Sequence, residues 1–93
     1  LYMVAMRSNV SKVTFTKMPD WIDPAHGNQK CYSIKLQNKK VGEIQEFTSK
    51  ISHKNGFAWV VYNYSGSPRY KSMNLDDCKT FVSNNISTLN NKQ

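Results

Sequence analysis

Acidic residues are scarce in this chain: six Asp and Glu stand against thirteen Lys and Arg, for a formal net charge of +7. The four carboxylates outside the C-terminal region, Asp20, Asp23, Glu43 and Glu46, lie in a loop and on a strand and match no catalytic motif. Cysteine is equally sparse. Cys31 and Cys78 belong to no C-x-x-C or Cys/His pattern, and His26 and His53 do not fall at ligand spacing with either one, so no metal site is expected. The two cysteines read as reduced thiols of a cytoplasmic protein. Four glycines form no phosphate-cradling loop; Gly56 and Gly66 are isolated turn glycines. No catalytic motif and no cofactor signature is found, and the chain reads as a non-enzyme. No apolar run approaches the roughly 18 residues of a membrane span. The opening LYMVAM lacks a basic start and a small-residue cleavage site, so it does not read as a secretory signal. Because the chain opens on Leu1, with Met6 a candidate start, residues 1–5 are kept out of the functional argument. Residues 1–10 are expected to be flexible or non-native.

What the chain does contain is concentrated in its middle. Residues 30–71 hold eight Lys and Arg and two Glu, so the excess positive charge falls where strands are expected. A field of this sign favours polyanions, acidic proteins or an anionic surface, although a charge of this size also serves simple solubility. The segment 56–64, GFAWVVYNY, carries four aromatics and two valines without a charge, and it reads as the central strand. At period 2 it shows Phe57, Trp59, Val61 and Asn63 on one face and Ala58, Val60, Tyr62 and Tyr64 on the other. Both faces are apolar or aromatic. The sequence does not say which is covered.

Around this strand the elements follow in order. Val13 and Phe15 alternate with polar neighbours in a weak strand, and residues 17–30, with two prolines and a glycine, read as a long loop. Trp21 and Ile22 stand out in that loop, either pinning it to the core or waiting for a protein partner. CYSIKLQ (31–37) is the cleanest alternating strand, and VGEIQEF (41–47) returns after a turn at 38–40. Its apolar positions 41, 44 and 47 slip phase around Gly42, which predicts a bulge. A polar connection over 48–55 ends at Asn55-Gly56, a turn over 65–68 follows, and RYKSM (69–73) reads as an edge strand. A C-terminal helix is predicted over 74–89, capped by Asn74 with Asp77 reaching back, its stripe being Leu75, Cys78, Val82, Ile86 and Leu89, widened by Phe81. The expectation is one α+β domain, an antiparallel meander of three to four strands packed on one helix in two layers.

A basic sheet with tyrosines on it combines the two components used against single strands: flat rings for stacking and cations for phosphate. The residues expected to bind RNA or single-stranded nucleic acid are Lys35, Lys39, Lys40, Lys50, Lys54, Tyr62, Tyr64, Arg69, Tyr70 and Lys71; Trp21 and Ile22 are the candidates for a protein partner. The plain alternative is that the rings fill the core and the lysines are solvated. A double-stranded RNA-binding domain is disfavoured, because the last helix opens Asn74-Leu75-Asp76-Asp77, which repels a phosphate backbone.

The stretches KKVGEI (39–44), GFAWVVY (56–62) and SMNLDDCKTFV (72–82) together resemble small basic accessory proteins of tailed phages, over about residues 30 to 83. That resemblance implies a host-cytoplasmic protein acting in host takeover or against host defence. The corresponding second reading is an inhibitor that neutralises a host defence protein such as a toxin–antitoxin ribonuclease, with a homodimer allowed and no membrane involved.

Overall fold

Alternation of Tyr32, Ile34 and Leu36 with Cys31, Ser33 and Lys35 builds the middle of the protein, because one set enters the core and the other faces away. The structure is a computed structural model that describes residues 13–90. The expectations for residues 1–10 lie outside that range. The strands are β1 (Val13–Lys17), β2 (Trp21–Asp23), β3 (Gly27–Gln29), β4 (Cys31–Leu36), β5 (Lys39–Glu46), β6 (Trp59–Asn63) and β7 (Pro68–Ser72). The helices are α1 (Lys50–Lys54), α2 (Leu75–Asn84) and α3 (Ile86–Asn90). Strands β1, β4, β5, β6 and β7 form one antiparallel sheet in that order, while β2 and β3 pair separately as a small hairpin. The fold is α+β, as expected, with one strand more than the meander predicted from sequence. The loop expected over 17–30 contains the β2–β3 hairpin, and the polar connection after β5 contains the single-turn helix α1.

Helices α2 and α3 supply Cys78, Val82 and Leu89 to a core with Ile34, Val41, Ile44 and Val61, all at most 2 % exposed. Trp59 packs partly buried against this cluster, so the Trp59–Val61–Asn63 face of β6 is the covered one. On the opposite face Ser33 and Val60 are buried too, each 2 % exposed, with Met18 Sδ 3.2 Å from the Ser33 hydroxyl, so that face is open only in part. The apolar stripe was read correctly along its whole length, but the helix is not continuous. It stops at Asn84 and resumes at Ile86, because Asn85 leaves helical geometry (φ −130°) and its Nδ2 donates to the Phe81 carbonyl at 2.9 Å. The expected capping box is also absent: Asn74 makes no side-chain cap, and Asp77 instead accepts from the Ser72 hydroxyl at 3.0 Å.

The bulge predicted near Gly42 is present. Ile34 pairs with Gly42 and Lys35 with Lys40, which leaves Val41 as the extra residue, turned into the core. The β4–β5 turn is tighter than expected. Gln37 and Asn38 both have positive φ (52° and 69°), the two-residue geometry that matches strand twist, and Lys39 already belongs to β5. Among the described residues no helix is long and apolar enough to cross a membrane.

Candidate nucleic-acid interface

Register decides which of the basic residues meet. The β4–β5 turn, the end of β6 and the start of β7 lie at one end of the sheet, since Gly42 pairs with Asn63 and Tyr62 with Pro68. Lys35, Lys39, Lys40, Tyr62, Tyr64 and Arg69 therefore gather at this end. Lys35 and Lys40 are direct cross-strand partners on the face away from the helices, a like-charge pair that the Glu43 carboxylate bonded to Lys40 offsets. A second bulge in β7 leaves Arg69 as the extra residue opposite β6, exposed at the same end. Among the described residues, no carboxylate lies within ion-pair distance of Lys35, Lys39 or Arg69.

A groove of about 600 Å³ opens here, lined by Lys40, Glu43, Gln45, Tyr62, Tyr64 and the backbone beside Gly42 and Gly66. Tyr64 is 58 % exposed, whereas Tyr62 is half-buried and burial pushes its phenol above the ordinary value, so it remains protonated at neutral pH. Glu43 is the one acid of the groove. The Lys40 ammonium holds its carboxyl below the usual carboxylate range, with Gln45 and Cys31 adding to that and burial opposing it. Glu43 is thus ionised across the neutral range.

The remaining expected residues are placed elsewhere. Lys71 shares the uncovered face but lies further along it, opposite Val60, with its ammonium 4.8 Å from the Phe57 ring centre. Lys50 and Lys54 sit on α1, reached from the opposite end of β5, so they do not join the groove. Tyr70 is a correction to the sequence reading. It pairs with Val61 on the helix-covered side and its half-buried ring stacks on Phe81 at 4.6 Å, which turns it away from the groove. Gln45 was missed by the sequence reading. Its period-2 relation to Glu43 was visible, but the face that pair occupies depended on the bulge being placed at Val41.

Trp21 and Ile22 are 60 % and 68 % exposed on the hairpin, so neither is sealed into the core. Trp21 lines a smaller, mostly apolar groove of about 410 Å³ with Met18, Pro19 and Phe47. Carboxylate chemistry finds no pair. Glu43 faces the open side, whereas Glu46 pairs with Trp59 on the other and accepts from the Lys30 amide at 3.0 Å. The two thiols are free and lie on opposite sides of the sheet; burial pushes the Cys78 thiol up to about 11. Among the described residues no three His, Cys, Asp or Glu converge on one point. No family model, curated protein or solved structure matches this chain.

Proposed function

We propose that this protein is a non-enzymatic binding protein that takes RNA or single-stranded nucleic acid at the turn end of its open sheet face. The observation that supports this reading most is that Lys35, Lys39 and Arg69, none with a carboxylate partner among the described residues, stand at the same end of the sheet as an exposed Tyr64 and a groove of about 600 Å³, with Lys39 on the helix side of that end, opposite Leu36. Cations there neutralise phosphates and release counterions, while a tyrosine ring offers a stacking surface that every base can use. Binding should therefore be strong at low salt and fall steeply as salt rises. Fluorescence anisotropy with a labelled single strand at about 50 and 200 mM salt checks this: three phosphate contacts predict a loss of roughly 20-fold. Absent or salt-indifferent binding rejects the reading.

The second reading, a phage-type inhibitor of a host defence protein, is favoured by the exposure of Trp21 and Ile22 on consecutive positions of the hairpin. Its consequence differs. Partners captured from nuclease-treated bacterial lysate should be lost on Trp21→Ala, with nucleic-acid binding unaltered; retention by the variant argues against the hairpin as the docking element.

A further inference from the structure

The groove at the turn end contains a feature that phosphate binding does not use. An ionised carboxylate, Glu43, lines it, and it repels phosphate while accepting hydrogen bonds. Its orientation is fixed from three directions. Oε2 takes a hydrogen bond from the Lys40 ammonium; Oε1 takes one from Gln45 Nε2 at 3.0 Å and a weak one from Cys31 Sγ at 3.8 Å. A carboxylate offers about four lone-pair positions. One position, on Oε2, is left for a ligand among the described residues, and it belongs to a group whose charge is already balanced by Lys40.

We infer that Glu43 reads the nucleoside rather than the phosphate, accepting a hydrogen bond from a donor on the bound strand: a ribose 2′-hydroxyl or an exocyclic base amino group. This rests on the nucleic-acid reading above. Lys35, Lys39 and Arg69 then hold the backbone, and the pre-oriented carboxylate selects what hangs from it. An acceptor held this way favours a strand that supplies the donor by about tenfold over one that does not.

Three labelled probes of equal length separate the sources: oligouridylate RNA, oligodeoxyuridylate DNA and oligocytidylate RNA, compared by anisotropy at one salt concentration. Preference for the uridylate RNA over its deoxy counterpart assigns the donor to the 2′-hydroxyl; preference for cytidylate over uridylate assigns it to the amino group. Glu43→Met, which keeps length and removes both acceptors, should abolish the preference and, with one negative charge gone and Lys40 released, raise the low-salt affinity for all three probes. Glu43→Gln, with one carbonyl oxygen retained, should keep a reduced preference, and it stands in for the first variant should that one not fold. Equal affinity for all three probes, or a preference that is undiminished in Glu43→Met (or in Glu43→Gln should the first variant not fold), overturns the role of Glu43 and leaves the binding reading standing. Failure of every probe to bind at low salt overturns both.

Discussion

Gly42→Ala should lower the free energy of unfolding by about 2–4 kcal/mol, among the largest effects expected of any single methyl group in this protein. Gly42 pairs with Ile34 on one side and Asn63 on the other, so it lies inside the sheet between two ladders. A Cβ built there collides with the carbonyl oxygen of Tyr62 and meets Ile34 Cδ1 at 3.4 Å. Tyr62 contributes backbone at the collision, which no rotamer change relieves. β5 and β6 would have to separate, losing ladder hydrogen bonds at the point where the groove forms. For a domain of this size, each kcal/mol is worth roughly 4–8 °C in melting temperature, so thermal unfolding should detect the change easily. Gly66→Asn is the control. Gly66 has φ +88° in open space, a conformation asparagine tolerates, and its cost should stay near or below about 1 kcal/mol. A Gly42→Ala protein as stable as the parent would mean that the β5–β6 approach is not as close as described.

The triple variant Lys35→Gln, Lys39→Gln, Arg69→Gln should bind single strands about 100-fold more weakly at 0.1 M salt, with folding intact. Each phosphate neutralised on a single strand contributes about 0.7 to the slope of log K against log salt, so removing three should flatten that slope by about two. None of the three has a carboxylate partner among the described residues, and surface substitutions of this kind usually change stability by no more than about 0.5 kcal/mol each. Lys50→Gln with Lys54→Gln removes two charges from α1, away from the groove, and serves as the comparison. If both variants lose affinity in proportion to charge removed, the field acts diffusely and the turn end is not a site.

The candidate surface was only partly legible in the sequence. Tyr62 lies on the face opposite Val61, as strict alternation predicts without tertiary information, whereas Tyr64 falls just past the end of β6. Tyr70 was misassigned for the complementary reason. A five-residue edge strand with a bulge has no alternation long enough to reveal its phase, and the ring went to Phe81. The ten residues expected to form one surface divided because Lys50 and Lys54 follow β5 whereas Lys39 and Lys40 begin it, eight residues of extended chain apart. A strand of that length spans about 26 Å, so charges close in sequence ended at opposite ends of the sheet.

Composition and periodicity alone determined the class of fold, the central strand, the bulge beside Gly42 and the apolar stripe that covers the sheet. These follow from local steric rules and from which side chains water rejects, both of which are properties of short segments. Which face of β6 the helices cover, where the helix breaks, and which cations become neighbours were decided only on folding. Each depends on the register between strands, and a slip of a single residue in that register exchanges the two faces of a strand.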